Sequence, residues 1–405
     1  MNIFVINSGS SSIKYQLIRM PEKTIICSGL VESIGLTNSA IIHKTYKNGE
    51  ELVIKETPEI VDHAAGLQEV SRLLTNPVIG VISNPSDIAV VGHRIVHGGE
   101  NLSATTFISP EVKEEIKRIF PLAPLHNPAH YLGIEVAEKI FTQAKQVAVF
   151  DTAFHHTMPE KAYRYAIPGE FYHTHKIRVY GFHGTSHKYV SEQAIQYLGK
   201  ANSKIITIHL GNGCSMAAIH NGQCVDTSMG LGPLDGLIMG TRSGNIDASI
   251  IFHLVNQLGY EIEQVSTLLN KKSGMLGLTG FSDMRDVKKE IENGNKAAAL
   301  AYEMYAYRIR KYIGSYAAVL NGLDAIVFTG GVGENDALTR KMVTANMEYL
   351  GVIPDEEKNA LRINGVHEIN ATGSKVKILI VPTNEELEIA TQCYQLAGPI
   401  VNNLG

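Results

Sequence analysis

Two short segments combine small residues with polar or basic side chains in a way that suits phosphate binding. They are Asn7–Lys14, with the sequence NSGSSSIK, and His209–Ser215, with the sequence HLGNGCS. Backbone N–H groups in a tight Gly/Ser turn form a concavity that accepts phosphate oxygens, and serine hydroxyls add donors. Lys14 supplies a point charge, and the amide oxygen of Asn7 suits Mg²⁺ or its bound water. Both segments therefore predict phosphate contacts, although the chain has no GxxxxGK[ST] motif.

A third glycine-rich segment, Phe328–Asn335, follows an apolar run and precedes a helix predicted to begin near Ala337. Its glycines let the backbone approach a flat ligand such as adenine or ribose. Asp283–Arg285 offers a carboxylate and a basic residue for the same ligand. Alone, such a segment is typical of plain turns, but three of them in one chain favour a nucleotide.

Two arginines lie among small residues, Arg94 in VVGHRIVHGG and Arg242 in MGTRSGNID. A guanidinium in a confined turn is suited to bind a carboxylate or phosphate through two parallel hydrogen bonds. The alternative is that each arginine is structural and satisfies nearby carbonyl groups.

Ten of the sixteen histidines lie between His93 and His187, and they include three HxxxH pairs: His93/His97, His126/His130 and His183/His187. On a helix this spacing would suit Zn²⁺, but glycine or proline interrupts these pairs, or they lie where a turn meets a helix. None has the HExxH glutamate. His183, in a Gly-Phe-His-Gly turn, is better interpreted as a donor to a ligand.

Near the C-terminus, VPTNEELEIA ends a predicted strand and opens a helix with two glutamates. A glutamate in a first helical turn commonly complements the helix dipole, which is the role predicted for Glu386. Glu385 is nearer the strand end and is the predicted Mg²⁺ ligand.

These residues must be positioned by an α/β fold, because short apolar runs alternate with longer amphipathic stretches. Strands are predicted at 3–8, 13–19, 88–93, 146–151, 204–210, 215–220, 324–329 and 376–382. Helices are predicted at 110–120, 130–141, 187–198, 248–258, 287–320 and 385–396. Ser186 and Asp247 are the predicted N-caps, and Gly199 and Gly259 the predicted stops.

The strand–turn–strand layout of NIFVINSGSSSIKYQLI recurs in KIITIHLGNGCSMAAIHNG. The recurrence suggests a duplicated α/β unit with a cleft between the copies, although two glycine-bearing hairpins can also arise by chance. A length of 405 residues is consistent with two or three domains. A boundary is predicted near residues 150–160, where polar and turn residues are frequent.

Composition excludes several function classes. With a net charge of −4 and no Lys/Arg run, a nucleic-acid or anionic-membrane partner has no electrostatic support. Four scattered cysteines without a CxxC pair fit reduced thiols in a cytoplasmic protein, which disfavours a Cys214–Cys224 bridge. The N-terminus lacks a basic leader region, and no run approaches the ~20 apolar residues of a membrane span.

Nine stretches in sequence order resemble the acetate kinase family: NSGSSSIK, GHRIVHGG, PLAPLHNP, VFDTAFH, YGFHGTSH, HLGNGCS, GLGPLDGLIMGTRSGNID, FTGGVGEN and TNEEL. The resemblance covers essentially the whole chain. It implies two duplicated ribonuclease-H-like domains flanking an active-site cleft, as in sugar kinases, chaperone ATPases and actin. The implied domains are residues 1–152, joined by a C-terminal helix at 385–405, and residues 153–384. The second domain would bind the nucleotide and form a homodimer.

The same resemblance implies a role for each matching residue, in the reversible, direct in-line transfer of the ATP γ-phosphoryl group to acetate, giving acetyl phosphate and ADP. Mg²⁺, with Mn²⁺ as an alternative, would be bound by Asn7 and Glu385. ATP would be contacted by Ser10, Ser12, Lys14, His209, Leu210, Gly211, Asn212, Gly213, Asp283, Met284, Arg285, Gly331, Val332, Gly333, Glu334 and Asn335. Acetate would be bound by Arg94, with Val96, Leu125, Phe182 and Pro233 around its methyl group. The catalytic residues would be His126, Asp151, His183 and Arg242.

A carboxylate nucleophile is already ionised at neutral pH, so the reaction needs no general base. Catalysis must instead position two anions that repel each other and spread the charge of the transferring phosphoryl group. We therefore interpret Asp151 as orienting Mg²⁺-bound water or an arginine. Three alternatives remain: a propionate or butyrate kinase, an ATPase of the same fold that transfers no phosphoryl group, and a structural metal protein built on the HxxxH pairs.

Overall fold

The computed structural model describes residues 1–47 and 50–401, and it contains two β-sheets. Its strands, in chain order, are β1 Asn2–Ser8, β2 Ile13–Arg19, β3 Thr24–Glu32, β4 Ala40–Lys47, β5 Glu50–Glu56, β6 Val90–Ile95, β7 Thr106–Phe107, β8 Lys145–Phe150, β9 Lys204–Leu210, β10 Cys214–His220, β11 Gln223–Thr227, β12 Ala325–Thr329, β13 His367–Glu368 and β14 Lys377–Ile380.

The helices are α1 His63–Leu74, α2 Pro110–Arg118, α3 Asn127–Ile140, α4 Glu160–Tyr163, α5 Glu170–His175, α6 Gly184–Leu198, α7 Ser249–Asn256, α8 Ile262–Lys271, α9 Gly274–Thr279, α10 Met284–Glu292, α11 Lys296–Leu320, α12 Gly330–Asn335, α13 Ala337–Thr344, α14 Glu356–Ala360 and α15 Glu385–Val401. Short 3₁₀ turns occupy Pro85–Asp87, Phe120–Leu122, Ala153–Thr157 and Glu348–Leu350. Among the described residues, no helix combines the length and apolar character of a membrane span.

The chain divides into two compact units. The first unit is Met1–Ala153 with Asn384–Gly405, and the second unit is Phe154–Thr383. The eight-stranded sheet of the first unit has the order β5-β4-β3-β2-β1-β6-β8-β7, and the six-stranded sheet of the second has the order β11-β10-β9-β12-β14-β13.

The two sheets repeat one topology. In the first, β1 pairs with β2 antiparallel and with β6 parallel, and β6 pairs with β8 parallel. In the second, β9 pairs with β10 antiparallel and with β12 parallel, and β12 pairs with β14 parallel. The β1–β2 and β9–β10 hairpins therefore occupy equivalent places, which confirms the α/β class and the duplication.

Each sheet is covered by helices. In the first unit, α1 and α3 pack on one core, which includes Leu67 and Ala137, and α15 packs on another through Ile389 and Cys393. The backbone of β6 lies close to α15 at Gly92, where an added Cβ would be only 2.7 Å from the Cys393 sulfur. This contact makes α15 part of the first unit, although most of the chain separates it from β1. Residues 402–405 of the predicted C-terminal helix lie outside the described residues.

Several local predictions were wrong. The helix predicted at 287–320 is two helices, because Gly294 has a φ of 82° and the Asn295 side chain caps α11. The helix predicted from 187 begins at Gly184 with His183 at its N-cap, so Ser186 is not the cap. Helix α7 begins after Ala248, although Asp247 still accepts a hydrogen bond from the Ser249 N–H.

Other predicted features agree more closely. Gly199 ends α6 as predicted, whereas α7 ends at Asn256, before Gly259. All four cysteines are buried free thiols. Strands β3, β4 and β5 and helix α1 were absent from the sequence predictions.

Candidate active site

The β1–β2 turn in the first unit is held from inside and outside. Within the turn, the Gly9 N–H donates to the Ser12 carbonyl at 2.7 Å. His63, the first residue of α1, bonds to the Gly9 carbonyl through its ring Nε2 at 2.7 Å. After the end of β3, the Ile34 N–H donates to the Ser11 carbonyl at 3.0 Å. The serine hydroxyls of this turn are thus carried by a fixed backbone, with Ser10 exposed and Ser12 half-buried.

A charged cluster lies at one end of this sheet. Arg94, on β6, donates to both carboxylate oxygens of Asp151, which follows β8, with 2.7 Å for its Nη2. The same Nη2 lies 3.6 Å from Glu385, the first residue of α15. Lys14, on β2, forms an ion pair with Glu386 at 2.5 Å. Three carboxylates therefore share two cations.

Burial makes this charge balance important. Asp151 is buried, with 1% exposed, and Arg94 is half-buried. Burial by itself lowers the pKa of Arg94, but the Asp151 and Glu385 carboxylates outweigh it and raise the net pKa. Burial raises the pKa of Glu385; Arg94 opposes this shift and the Asp151 carboxylate adds to it. Glu385 therefore lacks a full counter-ion.

Asn7 belongs to the same sheet end, since it is paired with Lys14 in the β1–β2 ladder. An amide oxygen and a half-buried, undercompensated carboxylate are hard oxygen donors of the kind that Mg²⁺ prefers. The donor set therefore fits a divalent cation with oxygen ligands.

The predicted apolar and histidine residues of the first unit surround the start of α3. Val96 is buried, and its N–H donates to His130 Nδ1 at 3.3 Å. His126 is the N-cap residue of α3, and Leu125 beside it is 62% exposed. Burial, together with the charges of Arg94 and His126, lowers the pKa of His130 to about 3. His130 is therefore a neutral acceptor for the backbone.

The β9–β10 turn in the second unit is tied into its surroundings. The Gly211 N–H donates to the Gly213 carbonyl at 3.0 Å, and the Gly240 N–H donates to the Asn212 carbonyl at 3.0 Å. A Cβ at Gly240 would lie 2.0 Å from Asn212 Oδ1 and 3.0 Å from the Ser282 carbonyl oxygen, so a side chain there would displace Asn212. This contact connects the segment that carries Arg242 to the β9–β10 turn.

His183 and Arg242 both reach this turn. A Cβ placed on Gly213 would lie 3.3 Å from His183 Cε1 and 3.6 Å from Arg242 Nη1. His183 has a left-handed φ of 54°, and its ring stacks on His209 with 4.5 Å between centroids. Arg242 donates to the Pro233 carbonyl at 3.2 Å, and burial lowers its pKa. Phe182, next to His183, is buried.

A cavity of about 820 Å³ adjoins the same turn. Its lining combines both predicted nucleoside segments with part of the turn; the residues are Gly211, Asn212, Ser282, Asp283, Met284, Arg285, Lys288, Lys289, Glu292, Gly331, Val332, Asn335, Asp336 and Arg362. Gly333 and Glu334 do not line it. Glu334 instead accepts hydrogen bonds from the Gly330 and Thr383 N–H groups, which shapes the start of α12.

Sequence reasoning missed several of these contacts. Glu386 was predicted only to complement the helix dipole, yet it pairs with Lys14. Lys288 and Lys289 lie one turn after Met284 on α10, and that helical spacing was an available signal. Arg362 lies outside helices and strands, and no motif marks it.

Comparison with known proteins identifies the family. Residues 2–391 match the profile of the Acetokinase family. The chain is 58% identical to an acetate kinase of Flavobacterium johnsoniae over 396 residues, covering 98% of this chain and 99% of that protein. Among solved structures, a Porphyromonas gingivalis acetate kinase has a TM-score of 0.90 and 44% identity, covering 97% and 99% of the two chains. A propionate kinase from Francisella tularensis subsp. tularensis has a TM-score of 0.89 and 43% identity, covering 96% and 98%.

Proposed function

Because the chain belongs to the acetokinase family, we propose that it transfers the γ-phosphoryl group of ATP to acetate, reversibly, giving acetyl phosphate and ADP. The observation that carries this proposal is an arginine-containing cluster in each of the two units. In the first unit, Arg94 is held by the Asp151 carboxylate and lies near Glu385, which lacks a full counter-ion. The other unit holds a second arginine and His183 against a glycine turn that opens on a nucleotide-sized cavity.

ATP is assigned to the second unit and to the β1–β2 turn. The cavity has room for a nucleoside, with Asp283–Arg285 and the start of α12 along its wall. The N–H groups of the His209–Gly213 segment, the hydroxyls of Ser10 and Ser12, and Lys14 are the proposed phosphate contacts. Lys14 is half-exposed and paired with Glu386, so it would exchange or share that partner when phosphate binds.

Acetate is assigned to Arg94, with Val96, Leu125, Phe182 and Pro233 as the proposed methyl contacts. The Asp151 carboxylate fixes the plane of the guanidinium, which suits bidentate recognition of a planar anion. This arrangement supports our interpretation of Asp151 as a residue that orients an arginine. It does not require Asp151 to move a proton, because acetate reacts as the ionised species.

Mg²⁺ is assigned to Asn7 and Glu385, with Mn²⁺ as an alternative. When bound, the metal would neutralise phosphate charge and help orient the transferring group. Arg242, His183 and His126 would donate hydrogen bonds to the phosphoryl oxygens as charge develops there.

The two compact units are proposed as the functional domains, and the protein as a cytoplasmic homodimer assembled through the second unit. Helix α7 supports the dimer, because none of its residues is buried and Phe252 is 64% exposed. Large exposed apolar surfaces of this kind mark protein interfaces. A Phe252→Asp variant should sediment as a monomer; an unchanged dimer would place the interface elsewhere.

Trapping of acetyl phosphate as its hydroxamate tests the activity directly. With ATP and Mg²⁺, kcat/KM should fall from acetate to propionate to butyrate, because Val96 occupies space that a longer acid needs. A pocket for a methyl group discriminates between acids that differ by one methylene by only about 1–3 kcal/mol, so we expect a preference for acetate and not complete exclusion of propionate. Higher kcat/KM with propionate would favour the propionate kinase assignment. ATP hydrolysis that is rapid and unaffected by acetate would instead indicate a non-transferring ATPase.

A further inference from the structure

A buried polar chain lies behind His183. The HxxxH pair His183/His187 occupies the N-cap and first turn of α6, and both rings reach one hydroxyl. Ser215 Oγ lies 2.9 Å from His183 Nδ1 and 2.7 Å from His187 Nε2. The chain continues from His187 Nδ1 to Thr207 Oγ1 at 2.7 Å. The i, i+4 spacing that suggested a metal pair therefore places two imidazoles on either side of a serine.

Thr207 determines the direction of the hydrogen bonds in this chain. It lies inside β9 and is fully buried, and His187 Nδ1 is the only acceptor for its hydroxyl within residues 1–47 and 50–401. A buried hydroxyl hydrogen is rarely left without an acceptor. Thr207 must therefore donate to His187, and His187 Nδ1 must accept.

The other positions follow from proton counting. Burial lowers the pKa of His187 far below its usual value, so the ring is neutral and carries its single proton on Nε2. That N–H donates to Ser215, which leaves the serine hydroxyl hydrogen for His183 Nδ1. A neutral His183 that accepts at Nδ1 must carry its proton on Nε2.

We propose that Thr207, His187 and Ser215 are positioning residues that hold neutral His183 in the Nε2–H tautomer, with its Nδ1 occupied as an acceptor. The reverse direction is disfavoured because it would leave the Thr207 hydrogen unsatisfied inside the sheet. His183 then presents an N–H donor at Nε2 without having to be protonated.

For catalysis this arrangement supplies a fixed donor to phosphoryl oxygens, and this kinetic consequence rests on the proposed function. A ring that could flip or change tautomer would present a lone pair to an anion, which repels it. Preorganised donors avoid that reorganisation during the reaction. The tautomer itself depends only on the hydrogen-bond chain.

The first measurement is the side-chain ¹⁵N–¹H spectrum of the full-length protein labelled with ¹⁵N-histidine, with His183→Gln used to assign the signals. At a pH where the ring is neutral, as located by titration, His183 should carry hydrogen on Nε2 and accept at Nδ1. In Thr207→Val, the signal of His183 Nδ1 should move toward that of an imidazole nitrogen that accepts no hydrogen bond. Hydrogen on Nδ1 in the wild-type protein, or no response to Thr207→Val, would overturn the proposal.

The second measurement is steady-state kinetics. Ser215→Ala should lower kcat about 10- to 30-fold, as loss of one hydrogen bond to a reacting group predicts, with both KM values little changed. Thr207→Val should show a smaller loss of kcat, and Thr207→Ser should restore it. Thr45→Val is the matched control, since Thr45 is a buried strand threonine in the first unit. Unchanged kcat in Ser215→Ala and Thr207→Val would contradict the positioning role. A wild-type protein that makes no acetyl phosphate would refute the proposed function while leaving the tautomer measurement valid.

Discussion

Arg94 in the first unit and Arg242 in the second differ in how their charges are balanced. Arg94 is held by both oxygens of Asp151 and lies near Glu385. Arg242 has a carbonyl partner, Pro233, and no carboxylate lies within ion-pair distance of it in the described part of the chain. Burial accordingly lowers the pKa of Arg242, whereas carboxylates raise the pKa of Arg94.

This difference separates two uses of the same side chain. A compensated arginine has a fixed orientation and little excess charge, which suits recognition of one substrate carboxylate. An uncompensated, partly buried arginine gains most when a strongly anionic group arrives, which suits stabilisation of a transferring phosphoryl group. We therefore propose that Arg94 contributes mainly to substrate binding and Arg242 mainly to the rate of phosphoryl transfer.

The largest effect is expected from Arg242→Ala. Loss of an arginine that clamps the transferring phosphoryl group should lower kcat by roughly 10³–10⁵, with little change in either KM. Steady-state kinetics of hydroxamate formation measure this, and exposed Arg118→Ala is the control for loss of a surface arginine. A normal kcat with weaker ATP binding would mean that Arg242 contacts only the ground state.

A smaller effect is expected from Asp151→Asn. Breaking a buried ion pair costs about 3–5 kcal/mol, which corresponds to a loss of roughly 10²–10⁴ in rate if all of it is lost from catalysis. Asp151 holds Arg94, and its charge also acts on Glu385, so kcat should fall and the acetate KM should rise together. Because Asp151 and Arg94 are in contact, the effects of Asp151→Asn and Arg94→Lys should not add. The residual rate should keep the wild-type pH profile. Loss of the acid limb would instead support a proton-transfer role.

Arg94→Ala tests the binding half of the comparison. Removing two charge-assisted hydrogen bonds should raise the acetate KM by about 30- to 150-fold, or about 2–3 kcal/mol. The ATP KM should change little. A raised ATP KM with an unchanged acetate KM would contradict the assignment of Arg94 to the substrate carboxylate.

The last prediction concerns the free energy of unfolding and extends the comparison from arginines to aspartates. Asp226, in the second unit, is half-buried, and burial raises its pKa to about 6. Between about pH 4 and 6 the unfolded chain releases this proton while the folded chain keeps it, so stability falls as pH rises. Asp226→Asn should therefore stabilise the protein at pH 7–8 by up to about 3 kcal/mol and have no effect below pH 4.

Denaturant unfolding at several pH values measures this change, and Asp324→Asn is the matched control. Asp324 is compensated by Lys200, and its pKa is lowered, because hydrogen bonds and charge from Lys200 and Lys204 outweigh the burial that would raise it. Its replacement should destabilise the protein at neutral pH and not in acid. Equal responses of the two variants would show that charge compensation does not distinguish the sites.

The predictability of the fold differed between regions for physical reasons. Strands β1 and β9 were evident because buried central strands are apolar along their length. Strands β4 and β5 were missed because polar residues interrupt their apolar pattern. Their conformation depends on pairing, of β4 with β3 and of β5 with β4. Helix α6 begins earlier than predicted, because His183 adopts a left-handed φ that ordinary capping preferences do not anticipate.

The order of residues along the chain specifies the local chemistry. It places two glycine-containing turns at strand ends, a third glycine-rich segment suited to a nucleoside, and arginines, histidines and carboxylates beside them. These features depend on neighbouring residues, so local patterns and family motifs reveal them. Which charges compensate one another depends on the tertiary fold. Lys14 meets Glu386 because α15 packs back on the first sheet, Arg94 meets Asp151 because β6 and β8 are parallel neighbours, and Arg242 meets no carboxylate among the described residues. Such pairings depend on strand order and helix packing, which bring together residues far apart in the chain.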